Sequence, residues 1–461
     1  MKNNLLGQLL AATFRSGVSA LALLAFTSVS AQVAANPATG SASSPTATKA
    51  TKPAGAAANT SKQGAKLPAK GEHGFKEIDY GGVKLPTWVG ARGETPAVPR
   101  GDYGLYERYV AIDNVGGWPQ ITILPSGELA MLIWPEPTHG HTVGAVGCWL
   151  SRDGGRLWER AGTPVRNAPG TNRFNHAAGV THDGSYVALV AGWNERYPVG
   201  WKPDYEVNRQ GAAWGYFSKA KTLPPIPAVS RDGGHSWKEF APITEPAQPS
   251  GWGLTPYGRI IQLPGGELGL IMYSDECSYF TSADGGATWK KRGEISNGRK
   301  HTEVALIRLA SGDLYAAART FADWHIDGFR STDHGATWQF ERELTLPMHH
   351  PGDFTPLPDG RLLLSYGVRT TNRWAIEARI CDAEAHDWSP PLTIVDLEGA
   401  TDRYDVFNPP RDGGYPTTVI LPDETLVTAY YSRGMPTHNR YHVGVVRWKL
   451  PVETRPVETR R

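Results

Sequence analysis

One octapeptide, Ser-x-Asp-x-Gly-x-x-Trp, occurs four times in this chain: at 151–158 (SRDGGRLW), 230–237 (SRDGGHSW), 282–289 (SADGGATW) and 331–338 (STDHGATW). Each copy has the chemistry of a tight turn between two strands. The aspartate accepts hydrogen bonds from backbone N–H groups of its own turn, and glycine permits positive φ. The tryptophan that closes each copy predicts packing between neighbouring sheets. Recurrence at this spacing marks a repeat architecture, in which each unit buries its apolar face only against its neighbours.

A second repeat runs in register with the first. Apolar runs broken by a polar turn lie at 121–132 (ITILPSGELAML), 179–190 (GVTHDGSYVALV), 260–271 (IIQLPGGELGLI), 304–318 (VALIRLASGDLYAAA), 354–366 (FTPLPDGRLLLSY) and 418–430 (TVILPDETLVTAY). Alternating large and small residues around a Pro, Gly or Asp turn predict a β-hairpin. Six hairpins predict six four-stranded blades, an all-β six-bladed β-propeller. A worn copy of the octapeptide, CDAEAHDW at 381–388, keeps the tryptophan and loses the glycine. No copy follows the sixth hairpin. Its last strand is expected near 442–448, and 106–113 is the candidate strand that closes the ring from the other end of the chain.

The rest of the chain reads as processing and linker sequence. Residues 1–31 carry Lys2, Arg15, an apolar stretch at 18–26 and the small residues Val29-Ser30-Ala31, the pattern of a secretory signal too short to span a bilayer. Residues 32–72 are Ala, Thr, Ser, Pro, Lys and Gly with almost nothing large and apolar, a linker that cannot bury enough surface to order. The propeller is expected over 73–461, in a secreted or periplasmic protein with no membrane contact once the leader is cut. A net charge of +2 and the lack of a basic stripe argue against nucleic acid. Cys148, Cys277 and Cys381 fall in different hairpin units and read as buried small hydrophobes rather than a disulfide set.

The octapeptide resembles the Asp box (BNR repeat) of the sialidase-type β-propellers. That resemblance covers roughly residues 105–448. It implies a glycan substrate, no cofactor, and a site where the innermost strands begin. Sialidases hold a substrate carboxylate with three arginines, use a glutamate-activated tyrosine as nucleophile, and use an aspartate as acid/base. The tyrosine has a physical reason. The anomeric carbon bears a carboxylate, which would repel a charged carboxylate nucleophile. By hairpin phase, Glu303 and Arg319 match the family's glutamate and second arginine, Arg373 the third arginine, and Tyr415 the nucleophile. A glutamate opening a buried strand is costly without a partner or a task. The Asp-box aspartates are expected to be structural.

Two positions depart from the family. Where its first arginine stands in an Arg-x-Pro setting, this chain reads Gly116-Gly117-Trp118-Pro119-Gln120. The loop that should carry the acid reads Pro135-Glu136-Pro137-Thr138-His139-Gly140-His141, with no aspartate. His141 is nearest the expected place, and His139 or Glu136 are alternative proton donors. Further substrate contacts are expected from Trp118, His176, Arg259, His301 and His350, with Trp193, Trp252 and Trp324 as stacking candidates. Convergence of the loop histidines would instead make a transition-metal site, though no metal-ligand spacing marks one. Three functions therefore stand: a glycoside hydrolase acting on a terminal, acidic sugar; a lyase on uronate glycans, with Tyr or His abstracting the proton α to a carboxylate; and a non-catalytic glycan-binding propeller.

Overall fold

Every blade is built from the same instruction, alternation with period two between tight turns, and the alternation is apolar on both faces. Ala130 and Leu132 pack toward one neighbouring blade, while Met131 and Ile133 between them pack toward the other. A strand apolar on both faces must be covered on both faces, so the sheets stack radially. The computed structural model of the chain describes residues 74–79, 84–89, 98–99, 105–140, 142–194, 221–245, 252–370, 373–397, 412–433 and 441–450. The expected leader, the linker and His141 lie outside the described residues.

Six antiparallel blades form the ring. Listed from the innermost strand outward, blade one is Gly117–Ile123, Leu129–Trp134, Gly147–Ser151 and Glu159–Gly162. Blade two is Asn175–Val180, Tyr186–Asn194, Lys221–Ser230 and Lys238–Glu239. In blade three the inner strand is broken into Thr255–Pro256 and Ile261–Gln262, followed by Leu268–Tyr273, Cys277–Ser282 and Lys290–Ile295. Between the two pieces, Gly258–Arg259 pairs in parallel with the inner strand of blade two. Blade four is His301–Arg308, Leu314–Thr320, Ile326–Ser331 and Gln339–Glu343. Blade five is His349–Pro356, Leu362–Thr370, Arg373–Cys381 and Leu392–Asp396.

Blade six closes the ring with strands from both sides of the propeller sequence. Asp412–Ile420, Leu426–Arg433 and His442–Trp448 are joined by Leu105–Asp113, which pairs antiparallel with His442–Trp448 as the fourth strand, with the short Val98–Pro99 paired beyond it. Leu105–Asp113 is the closing strand expected from sequence. Gly74–Asp79 and Lys84–Val89 form a separate two-stranded antiparallel hairpin.

Six hydrophobic clusters fill the six interfaces between blades. Each Asp box joins the third strand of its blade to the fourth. Its tryptophan enters the interface with the preceding blade: Trp158, Trp237, Trp289 and Trp338 in the four full boxes. In every full box the serine hydroxyl donates to the aspartate at 2.7–2.9 Å, and a glycine N–H donates back to that hydroxyl. Each tryptophan Nε1 donates to the same glycine's carbonyl at 2.9–3.1 Å. The worn box keeps this last bond, from Trp388 to Ala385, with Ala385 at φ 58° where the others use glycine. Cys148, Cys277 and Cys381 are unpaired and buried in three different interfaces.

Candidate functional site

A β-bulge at the start of the innermost strand recurs in blades one, four, five and six, each time with one extra residue on the inner strand. A bulge breaks the ladder locally and re-aims a side chain. In three of these bulges a large residue sits at positive φ: Trp118 at 52°, Glu303 at 38° and Tyr415 at 49°. Bulky residues rarely adopt that conformation, and strain of about 1–3 kcal/mol persists only where the surroundings impose it. All three side chains line one pocket, together with Asn175, His176 and Tyr257. The bulges thus turn strand residues toward the axis, where five blades contribute to the lining.

The pocket is organised around Glu303, which is 7 % exposed. One carboxylate oxygen accepts the hydroxyl of Tyr415 and the other accepts an N–H of Arg319. The Tyr415 hydroxyl is held above the ordinary phenol range, first by burial and then by the charge of Glu303. The proton therefore rests on the phenol, pointed at the carboxylate that would receive it. Arg319 lies 5.4 Å over the ring of Trp324. Its Nε is buried without a hydrogen-bond partner.

Arg373 does not reach this site. It stands on the third strand of blade five, donating to Glu377 and, at 2.8 Å, to the hydroxyl of Thr393 on the outer strand. The arginine that corresponds to Arg319 is Arg369, four residues earlier. Both stand one residue before the end of the second strand of their blades, whereas Arg373 lies past the next turn and opens the third strand. Arg369 is 6 % exposed, lies 5.0 Å over the Tyr415 ring, and donates to Gly413 O at 2.7 Å and the Tyr431 hydroxyl at 3.2 Å. Between the two arginines sits His350, fully buried, with neither ring nitrogen hydrogen-bonded. Burial, then Arg319 and Arg369, holds it well below the usual histidine range, so it is neutral. Two cations and an unsatisfied imidazole form a cradle for an anionic or polar oxygen.

The other expected contacts separate into two groups. Trp118 faces the pocket edge-on to Tyr415 at 5.7 Å and stacks on Tyr431 at 4.9 Å. His176 lines the pocket but is buried, kept neutral by that burial, with Nδ1 3.0 Å from the Phe174 carbonyl. Arg259 is a structural strut: it donates to Ile121 O of blade one, Thr418 O of blade six and Asp353 of blade five at 3.0–3.2 Å. Its reach across the axis ties three inner strands together and uses its guanidinium for that purpose. His301 turns into its own blade, with Nε2 2.9 Å from the buried Asp327.

Among the described residues the histidines diverge instead of forming a metal centre. His325 shares Asp327 with His301, His349 leans toward Glu377 at 3.9 Å, and His139 meets Asp412 at 2.7 Å. Among the described residues the one group of ligand types that gathers, His325, Asp327 and Glu343, surrounds the guanidinium of Arg299 at 3.1–3.5 Å. A cation is therefore already supplied there by the protein.

Gly117 explains why no first arginine stands in blade one. It has φ 115°, and a Cβ built there would run into Cβ and the ring of Tyr431. Tyr431 fills the space next to Trp118 and extends to Asp412, to which it donates at 2.7 Å. Asp412, 3 % exposed, also accepts the Tyr441 hydroxyl at 2.7 Å. Burial would raise this carboxyl, but His139, Arg369 and Tyr431 outweigh it and hold Asp412 far below the ordinary carboxylate range. Sequence reading missed Asp412, Arg369 and Tyr431. Their only local signal was proximity to Tyr415 and to the hairpin ends.

Comparison with known proteins agrees with this architecture. A family described as BNR repeat-like domain matches residues 205–428. No curated protein matches the chain. Among solved structures, a protein of unknown function from Dyadobacter fermentans is similar with a TM-score of 0.58 and 21 % identity, over 74 % of this chain and 99 % of that one. A Hadza microbial sialidase gives 0.53 and 17 %, over 74 % of this chain and 66 % of its own length. The intramolecular trans-sialidase from Ruminococcus gnavus, solved with oseltamivir carboxylate, gives 0.51 and 14 %, over 76 % and 98 %. At these identities the likeness is one of fold.

Proposed function

We propose that this chain, a sialidase-like BNR-repeat β-propeller, is a glycoside hydrolase that removes a terminal, acidic sugar from glycans outside the cytoplasm. The observation that carries the reading is the Tyr415 hydroxyl donating to a carboxylate oxygen of Glu303, at a strained bulge inside the pocket. As Tyr415 Oη bonds to the anomeric carbon, its proton passes to Glu303, and the neutral phenol approaches a carboxylate-bearing centre without like-charge repulsion. Arg319 and Arg369, with neutral His350 between them, supply the cradle for the sugar's carboxylate. With Tyr431 filling the space beside Gly117, two arginines rather than three carry that contact, which favours acidic sugars beyond sialosides. The leader at 1–31 is the basis for assigning the protein to the periplasm or the exterior.

The test is turnover of fluorogenic sialosides, uronides and neutral deoxy-glycosides by the mature protein beside Tyr415→Phe. A hydrolase loses turnover in the variant while the protein stays folded, since only the hydrogen bond to Glu303 is removed. A product absorbing in the ultraviolet as an unsaturated uronate would favour the lyase instead. Glycan retention without turnover in either protein would mean a binding propeller.

A further inference from the structure

We infer that His139 is the proton donor of this site and that Asp412 is its positioning residue, an inference that rests on the hydrolase reading above. The loop after the first hairpin carries no aspartate, and what the fold packs against Trp118 of the pocket wall is an imidazole backed by a buried carboxylate. His139 Nδ1 lies 2.7 Å from Asp412 Oδ2, and the His139 side chain is 39 % exposed while Asp412 is 3 %. The ring packs edge-on against Trp118 at 4.5 Å, and Trp118 in turn meets Tyr415 at 5.7 Å. His139 and the tyrosine therefore flank the same tryptophan.

The loop is held in place. Thr138 N donates to Glu136 O at 2.7 Å, Gly140 N donates to Thr138 O at 2.9 Å, and the Asn172 side chain donates to Gly140 O at 3.2 Å. Gly140, at φ 64°, lies under the Phe174 ring with no room for a Cβ. Asp412 is as firmly anchored, by the Tyr431 and Tyr441 hydroxyls at 2.7 Å each. A carboxylate bound to Nδ1 fixes the tautomer and ring orientation of a histidine and leaves Nε2 as the proton-transferring nitrogen. It also stabilises the imidazolium from which the proton is given. Glu136, the other described donor on this loop, sits beside Gly144, where burial raises its carboxyl and Arg160 of the outer strand works against that rise.

In the first half-reaction the imidazolium Nε2–H passes its proton to the glycosidic oxygen as the bond from that oxygen to the anomeric carbon breaks. Tyr415 Oη bonds to the anomeric carbon in the same step and its proton goes to Glu303. In the second, the neutral Nε2 takes a proton from water, whose oxygen bonds to the anomeric carbon. The Tyr415–carbon bond breaks and the phenol recovers its proton from Glu303. No other reactant is needed. Asp412 also touches Tyr431, which accepts from Arg369, so one buried carboxylate steadies both the donor and half of the anion cradle.

The experiment is a leaving-group series, kcat/KM for the dinitrophenyl, nitrophenyl, methylumbelliferyl and methyl glycosides of the sialoside and the uronide. Wild type, His139→Gln, Asp412→Asn and Tyr415→Phe are compared. A general acid contributes about 10²–10⁴-fold where the leaving oxygen needs a proton. His139→Gln should lose that factor on the methyl glycoside and almost nothing on the dinitrophenyl glycoside, whose leaving group departs as an anion. Asp412→Asn should show the same slope with a smaller loss. Azide should raise the kcat of His139→Gln on the activated substrate, where kcat/KM is kept but the glycosyl-enzyme lacks the base that activates water, by attacking the glycosyl-enzyme. Equal loss across the series, or none, in His139→Gln while Tyr415→Phe is dead overturns the assignment and leaves the hydrolase intact. No cleavage of any member by the wild type overturns both. His139 is partly exposed, so its replacement opens no buried void, and near-ultraviolet circular dichroism checks that the variant is folded.

Discussion

The ring is latched by one buried carboxylate, and removing its charge should be costly. Glu107 lies on Leu105–Asp113, the closing strand, with its side chain 1 % exposed. It accepts two hydrogen bonds from Arg447 of the neighbouring strand at 2.8 and 2.9 Å. It accepts two more from Arg156, inside the first Asp box, at 3.0 and 3.1 Å. The latch thus joins the outer edge of blade six to the turn of blade one, and Tyr109 adds a bond to Gly155 O of the same turn. In Glu107→Gln the shape persists but Arg447, whose side chain is 5 % exposed, keeps a buried charge without its counter-ion. Breaking a buried pair in this way costs about 3–5 kcal/mol, whereas an exposed pair is worth about 0–1 kcal/mol. At about 2.1 cal/mol/K per residue over about 340 residues of ring, the unfolding entropy at Tm is about 0.7 kcal/mol/K, so Tm falls by roughly 4–7 °C. Scanning calorimetry of wild type, Glu107→Gln and the paired replacement Glu107→Leu with Arg447→Met measures this. The paired variant should regain most of the loss, since apolar residues of similar volume replace a buried ion pair at little cost. A fall of less than about 1 °C in Glu107→Gln, the scale of a surface pair, would refute the latch.

Two further predictions concern stability and chemistry away from the site. Asp232 is held down to about 2 against burial by the Ser236 and Ser230 hydroxyls and backbone N–H groups, and Asp333 to about 2 chiefly by Thr337. Folded values below the unfolded value of 3.8 mean stability that is present above about pH 4 and lost as pH falls through about 2. Tm measured from pH 5 to 2 should therefore fall less steeply in Asp232→Asn with Asp333→Asn than in wild type, and identical slopes would exclude the boxes as acid-sensitive elements. The second concerns the thiols. All three cysteines are buried and free, and burial pushes Cys148 and Cys381 up to about 12. A thiol reagent at neutral pH should titrate none of the three in the native protein and three in denaturant. Fewer than three after unfolding would mean a disulfide.

Sequence alone determined what local chemistry determines. The Asp boxes were legible because their hydrogen bonds close within eight residues, from serine to aspartate to glycine to tryptophan. The hairpins, the six blades and the closing strand were legible because alternation with period two survives wherever both faces of a strand are covered. Glu303, Arg319 and Tyr415 were legible from hairpin phase set against the family resemblance, and Trp118 from its place at the mouth of the first inner strand; the bulges at Trp118, Glu303 and Tyr415 bring those side chains together with Arg319.

What the tertiary structure decided is everything that depends on which residues of distant blades share a space. Arg369 and Arg373 are the same residue type four positions apart, and only the register of the second and third strands sends one to Tyr415 and the other to Glu377. Arg259 reads as a pocket arginine until three blades meet around it. Asp412 draws its partners from 19, 29 and 273 residues away, so no window of sequence holds the network. Side-chain period and turn chemistry act over a few residues and can be read in order. A funnel assembled from six radial sheets is a matter of register and closure, and those are settled only when the ring is complete.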